Sequence, residues 1–372
     1  MDFDFSDDQQ QLRDAARRWV DKAYTFEHRR AAVKAGGFSR DTYNALAELG
    51  LTALNVPEAH GGMGMGAVEA MVVMEEMGRG MVLEPLAQSF IAAKVLAQYA
   101  PEAVQADWLP RVASGEALVV LAQQERRARY RLDKCESKAT QTVDGYRLTA
   151  HKSIVPAGDQ ADAFIVPAQL DGKLALFLLE RSAPGVTTRG YITQDGSAAA
   201  EVEAERSPAT LMTTDGLAAL ELAVDIGSAA VCAEAVGVMD QVMTITADYL
   251  NQRKQFGVAI ASFQALRHRL ADMKMQLELA RSMSYYASLQ LEQPAEQRRR
   301  AIARARVQLS QSMRMVGQQA VQLHGGSGVT DEYIGSHQFK KLTQLEMTYG
   351  DGLHHLGEVA SRMQETAGVG DM

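Results

Sequence analysis

The sequence predicts a mainly α-helical protein with a β domain set between two helical regions. Three observations lead there. Helix start and stop residues punctuate positions 1 to about 115. From about 116 to 210, short apolar runs alternate with turn dipeptides. From 211 onward, apolar stripes step by three and four residues over several turns. The expected layout is an N-terminal helical domain (1–115), a middle β-barrel or sandwich domain (116–210) and a C-terminal four-helix bundle (211–372).

In the first region, Ser6 precedes Asp7 and Asp8. The serine oxygen suits the free amide groups of a helix start, and the carboxylates suit its positive end. Ser39 opens a second helix, which Gly50 stops. The stretch 57–66 contains Gly62, Gly64 and Gly66 in GxGxG spacing, but no strand–turn–helix unit surrounds it. A dinucleotide-binding βαβ reading fails, and a flexible connector is expected. Further helices are expected over 67–78 and 85–99.

In the middle region, apolar runs lie at 117–122, 146–149, 163–166, 174–179 and 185–188. Asp144-Gly145, Gly158-Asp159, Asp171-Gly172 and Pro184-Gly185 separate them, which predicts antiparallel hairpins. In the last region, one stripe is Val231, Ala235, Val238, Val242, Ile245 and Tyr249. A second is Leu266, Leu270, Met273, Leu277 and Ala280, and a third is Leu309, Met313, Val316, Ala320 and Leu323. Pro294 breaks the chain between the second and third. The basic residues Arg298, Arg299, Arg300, Arg304 and Arg306 read as a solvated helix face rather than an anion site. Residues 367–372 read as a frayed end.

Lysine and arginine number 38 against 46 acidic residues, a net charge of −8. That balance disfavours nucleic acid as a partner. Cys135 and Cys232 form no CxxC pair, so no metal site is expected and a reducing, cytoplasmic setting fits. The first eight residues lack the basic and apolar parts of a signal peptide. No apolar stretch is expected to reach the roughly 18 residues of a membrane span.

Two segments carry the chemistry. One is Arg253-Lys254-Gln255-Phe256-Gly257, followed by Phe263-Gln264 and His268. The other is Gln322-Leu323-His324-Gly325-Gly326-Ser327-Gly328, followed by Thr330, Glu332 and Tyr333. An arginine at a helix end offers a planar fork for phosphate oxygens. Phe256 and Phe263 offer flat apolar faces, and Gly257 permits a sharp turn. Gln322 is both donor and acceptor, and Gly325-Gly326 expose backbone amide groups. His268, Asp272 and Met273 read as helix surface and packing.

Both segments resemble the flavin-binding signatures of the acyl-CoA dehydrogenase family, whose helical–β–helical order is also similar. The resemblance implies FAD as cofactor and an acyl-CoA substrate, oxidised to the trans-2-enoyl-CoA. It implies that Arg253, Phe256, Phe263, Gln264, Gln322, Gly325 and Gly326 hold the ADP half of FAD across a subunit interface. The flavin ring then lies in the neighbouring subunit, and an electron-transferring flavoprotein is the expected acceptor.

The chain departs from the family on the ring side. A Thr-Glu-Pro-x-Ala-Gly-Ser-Asp type segment is matched by 124–131, where only Glu125 and Ala128 fit. The Trp-Ile-Thr-Asn-Gly segment is matched by Ile154-Val155-Pro156-Ala157-Gly158, without aromatic or hydroxyl. The two family positions for the catalytic glutamate hold Tyr349 and Gly227. Asp351 is the remaining candidate base, with Asp225 two residues from the other position; each also reads as a cap or surface carboxylate. Arg126, Arg127, Arg129 and Arg131 read as a CoA-phosphate site or as a surface cluster. Adjacent His354 and His355 face different ways on a helix and do not make a metal site.

This pattern is similar to the small subunits of α2β2 enzymes, including those of the pimeloyl-CoA dehydrogenase type. Homo-dimer, homo-tetramer and α2β2 hetero-tetramer with a longer homologue all stay open. The alternative function is a non-catalytic structural or regulatory family member that supplies the ADP-side clamp to a partner.

Overall fold

Ser6 caps the first helix as its position requires. Its side chain accepts from the Gln9 amide while the Gln9 side chain reaches back to the Ser6 amide, a complete capping box on α1 (Asp7–Ala23). The structure, a computed structural model, describes residues 5–363, so the expectation for 367–372 lies outside it. After α1 come α2 (Phe26–Lys34), α3 (Arg40–Glu48), α4 (Ala67–Gly80), α5 (Leu86–Tyr99) and α6 (Glu102–Ala113). Ser39 caps α3 by accepting from the Thr42 amide. The 57–66 stretch is a loop with one 3-10 turn, Glu58–His60.

The chain divides into two units, one formed by 30–70 and 83–227, the other by the remaining segments. The first unit holds the strands β1 (Val119–Leu121), β2 (Lys138–Thr142), β3 (Gly145–Pro156), β4 (Ala163–Leu170), β5 (Lys173–Glu180), β6 (Val186–Ile192) and β7 (Ala198–Thr213). The sheet closes on itself. Its order runs β4, β2, β3, β7, β5, and β5 pairs back onto β4. β1 lies beside β4 and β6 beside β7. The barrel interior is filled by Leu118, Val120, Phe164, Val166, Phe177 and Leu179, with Phe38 and Tyr43 in the same cluster.

Two expectations for this region are corrected. The sheet is not wholly antiparallel, because β1 and β4 run parallel from Val119↔Ala163 to Leu121↔Ile165. β2 and the sixteen-residue β7 were not expected as strands. β7 begins Ala-Ala-Ala-Glu-Val-Glu-Ala-Glu, residues that favour helix over strand. Pairing with β3, β5 and β6 overrides that local preference.

In the second unit the three expected stripes meet in one core. Val231, Ala235, Val238 and Val242 of α7 (Gly216–Gln252) cluster with Met273, Leu277 and Ala280 of α8 (Gln264–Leu289). Leu309, Met313 and Val316 of α9 (Ala295–His324) complete the contact. α10 (Ile334–Met347) and α11 (Gly352–Ser361) follow. α7 corrects the membrane expectation, since it is long and apolar enough to cross a bilayer, with mean hydropathy 1.7. The window concerned is wholly buried inside the protein, as a core helix would be.

The basic run on α9 is also corrected. Arg304 is exposed, but Arg298 and Arg306 are buried, Arg306 at 1% exposure. Helical spacing turns those two arginines inward. Arg306 has main-chain partners waiting there. One terminal nitrogen of its guanidinium lies 3.2, 3.1, 2.8 and 2.8 Å from the carbonyl oxygens of Leu345, Glu346, Thr348 and Gly350. Leu345 and Glu346 belong to the last turn of α10, whose carbonyls run out of intrahelical donors, and Thr348 and Gly350 belong to the bend that follows. The Arg306 Nε–H donates to His355 Nε2 at 3.4 Å. Burial, and then the charge of Arg306, push the His355 ring down to about 2, so it stays a neutral acceptor.

Candidate flavin-nucleotide site

Arg253 stands one residue beyond α7. Its amide donates to the Tyr249 carbonyl at 2.8 Å and its carbonyl accepts from the Ile260 amide at 2.9 Å. Between these anchors the chain makes a small hairpin of β8 (Lys254–Gln255) and β9 (Val258–Ala259). The two turn residues, Phe256 and Gly257, have φ of 51° and 81°. Left-handed values at both positions define the hairpin turn that matches strand twist, and glycine adopts them without strain. The turn holds Phe256 out at 91% exposure, its ring edge-on to Phe263 at 6.2 Å.

The second segment begins where α9 ends. Gly325 has φ 59° and ψ −138°, a combination that belongs to glycine. A side chain at Gly325 or Gly326 would meet nothing within 4 Å, so the backbone there is open to a ligand. Gln322 is exposed on the last turn of α9.

His324 ties the two segments together. Its Nδ1 lies 2.8 Å from the Ala320 carbonyl and therefore carries the proton. That leaves Nε2 to accept from the Tyr333 hydroxyl at 2.8 Å. The Tyr249 ring packs on the same imidazole with centroids 4.6 Å apart, and the Tyr333 ring lies at 5.0 Å. Burial, and then the charges that Tyr249 and Asp248 can carry, push the Tyr333 phenol up and keep it a donor. The ends of α7 and α9 thus meet through one buried ring. Nothing in the spacing of Tyr249, His324 and Tyr333 marks this contact, because it joins residues 75 or more positions apart to a neighbour nine positions on.

The residues fit the nucleotide half of a flavin dinucleotide. Among the described residues, no hydrogen bond or ion pair engages the side chains of Arg253, Gln264 or Gln322. A cation, two amides, an exposed aromatic pair and an open glycine backbone share one end of the unit. Pyrophosphate and adenine need those groups. The surface positions of His268 and Asp272 and the buried position of Met273 match their expected packing roles.

The ring-side segments are differently committed. Glu125 is buried against Lys152 at 2.6 Å, with side-chain exposures of 4% and 1%. It also accepts from the Ser137 hydroxyl at 2.6 Å and the Glu136 amide at 2.6 Å. Burial opposes its ionisation, but the Lys152 charge and these donors hold it down at about 2. The residue shared with the family motif is thus a structural anchor of its loop. Arg126, Arg127 and Arg131 are exposed and face Glu201, Glu136 and Asp133, a surface arrangement.

At the β3 bulge, Ile154 has φ 53°, strained for a β-branched residue. Its amide donates to the Tyr191 hydroxyl at 3.1 Å. Neighbouring Ser153 donates to Glu201 at 3.0 Å, and His151 lies 3.0 Å from the same carboxylate.

The base positions hold no free carboxylate. Gly227 lies within α7, and Tyr349 sits on a left-handed turn with φ 59°. Asp351 caps α11, its carboxylate accepting from the His354 amide at 2.8 Å. Asp225 is buried, at 2% exposure. Among the described residues no group of three histidine, cysteine or carboxylate side chains is placed to hold a metal.

Comparison with known proteins agrees with this picture. The family profile "Acyl-CoA dehydrogenase, N-terminal domain" matches residues 6–116, and "Acyl-CoA dehydrogenase, C-terminal domain" matches 214–363. The acyl-CoA dehydrogenase FadE27 of Mycobacterium tuberculosis is 28% identical over 98% of this chain and all of its own length. A solved chain of a Tcur3481–Tcur3483 steroid ACAD variant superposes with TM-score 0.90 at 28% identity, covering 97% of this chain and 99% of that one. A chain of the ChsE4–ChsE5 complex from Mycobacterium tuberculosis gives 0.89 at 27%, covering 98% and 99%. With both family profiles matched and the relatives similar over nearly the whole chain, the chain belongs to the acyl-CoA dehydrogenase family.

Proposed function

We propose that this chain is the nucleotide-clamping subunit of an FAD-dependent acyl-CoA dehydrogenase, working with a longer homologue in an α2β2 assembly. One observation carries the reading. The groups for the ADP half are present and unengaged, whereas the two base positions hold Tyr349 and Gly227, and Asp351 is spent on a helix cap. Bound FAD would supply the two-electron acceptor for a hydride leaving the acyl β-carbon. In this reading Arg253 and the 325–326 amides bind the pyrophosphate, Phe256 and Phe263 bracket the adenine, and the partner supplies the carboxylate that takes the α-proton. The two-component names of the Tcur3481–Tcur3483 and ChsE4–ChsE5 relatives favour a mixed assembly. An electron-transferring flavoprotein is the electron acceptor that the family resemblance implies.

The test is spectral. The chain purified alone should be colourless, and co-expressed with a longer homologue it should give a yellow complex that an acyl-CoA bleaches. Flavin bound and bleached by the chain alone would refute the division of labour. A colourless protein with every partner would refute flavin binding through this chain and leave a purely structural role. In the complex, Arg253→Ala should lose at least nine-tenths of its flavin with the fold intact, roughly the loss of one charge-assisted contact. Unchanged flavin content would contradict the assignment.

Asp351→Asn separates cap from base. Asparagine caps as well as aspartate but cannot accept a proton. We expect turnover of the complex to stay within about twofold of wild type, since a cap exchange of this kind is nearly neutral. A fall of about a hundredfold or more, the range expected for a lost general base, would make Asp351 the base.

A further inference from the structure

The nucleotide-facing groups come from two segments far apart in sequence, and their joint presentation needs a physical link. Hairpin residues 253–257 hang from the end of α7, and Gly325-Gly326 hang from the end of α9. The side chains of Arg253, Gln264 and Gln322 have no partner among the described residues and so do not fix these segments themselves. Besides the apolar core they share, the two helix ends are linked through the buried His324 ring. It is fixed in one tautomer by Ala320 and Tyr333, and it is covered by Tyr249 one turn ahead of Arg253.

We propose that Tyr249, His324 and Tyr333 are positioning residues for nucleotide binding, setting the Arg253 hairpin and the 325–326 backbone in one geometry for a nucleoside diphosphate. Each of the three reaches the ligand only through another group. Tyr249 fixes the turn whose carbonyl receives the Arg253 amide. His324 is the residue immediately before Gly325, so a rotation of its backbone would turn the exposed amide groups away. Tyr333 holds the imidazole by a single hydroxyl. The inference rests on the proposal that these segments take the ADP half of FAD.

The experiment uses the full chain in complex with its flavin-holding partner, stripped of flavin, with ADP and FAD as separate probes. Tyr333→Phe removes one oxygen. It should weaken both ligands about fivefold, the range expected for losing one hydrogen bond, with the melting temperature held within about 2 °C. Tyr249→Leu should weaken them similarly, and Tyr249→Phe, which keeps the ring, should restore wild-type affinity. In an Arg253→Ala background, Tyr249→Leu should have a smaller further effect, because its influence passes largely through the hairpin, whereas Tyr333→Phe should still weaken ADP through the 325–326 backbone. Unchanged ADP affinity in both Tyr333→Phe and Tyr249→Leu would overturn the proposal. So would a loss of affinity in step with melting temperature that Tyr249→Phe fails to rescue, since that describes packing alone. If Arg253→Ala itself binds ADP as wild type does, the reading of the site fails first, and the two failures are thereby told apart.

Discussion

Replacing Arg306 with leucine is expected to lower the melting temperature by roughly 10 °C, from a loss of about 3–5 kcal/mol. The side chain is 1% exposed and spends its charge on four carbonyls and one imidazole. Leucine fills part of the volume but donates nothing, so the carbonyls of Glu346, Thr348 and Gly350 lose the donor that Arg306 brings them. Lysine should recover only part of the loss, because a single ammonium lacks the second donor that Arg306 Nε gives to His355. Thermal unfolding of the three proteins measures this, and a leucine variant within 2 °C of wild type would contradict the account. The His355 ring adds a pH signature. Its folded value lies far below that of the free side chain, so the unfolded chain binds the extra proton. Stability should therefore be complete above about pH 6.5, the free imidazole value, and decline as pH falls below it.

Lys152→Met should be nearly as damaging, at about 3–5 kcal/mol, because it strands the Glu125 carboxylate in the barrel wall. The partner change Glu125→Gln strands the ammonium instead, with Pro167 (2.9 Å) and Cys135 (3.8 Å) as its remaining contacts. The double variant Glu125→Leu with Lys152→Met should recover most of the loss, since a packed apolar pair avoids the desolvation of both charges. The pH dependence has a definite sign. Glu125 is depressed in the folded protein, so its contribution is present above the free value of about 4.5 and is lost only as pH falls towards 2. In Lys152→Met the carboxyl gains by taking up a proton, so the gap to wild type should narrow in acid. Urea midpoints at pH 7 and pH 4 decide it: a gap that widens in acid would sink the argument.

The two cases also mark what sequence could and could not reveal. Periodicity exposed the bundle, because Val231 to Val242, Met273 to Ala280 and Leu309 to Val316 each keep one face to a common core. Glycine and arginine spacing marked the candidate nucleotide segments, because the left-handed backbone at Gly257 and Gly325 favours glycine whatever surrounds it. Arg306 and Lys152 stayed hidden. A cation's partners are carbonyls or carboxylates brought by other elements, and the local pattern around Arg306 is that of an ordinary charged helix face. β7 stayed hidden for a related reason: its alanines and glutamates become a strand only when three neighbours pair with it. The Tyr249–His324–Tyr333 contact needed α7 and α9 to end side by side, which neither stripe states.

The grip of Arg306 on 345–350 has a wider implication. The contacts of Arg306 within 345–350 are all to peptide oxygens, which makes them indifferent to the side chains those peptides carry, so the bend keeps its shape while its residues drift. A lineage could thus trade a reactive carboxylate for Tyr349 without the bend collapsing, and the loss of chemistry in one protomer need not carry a loss of architecture. Division of labour between unlike copies is easier to reach from such a scaffold than from one whose reactive residue also holds its own loop together.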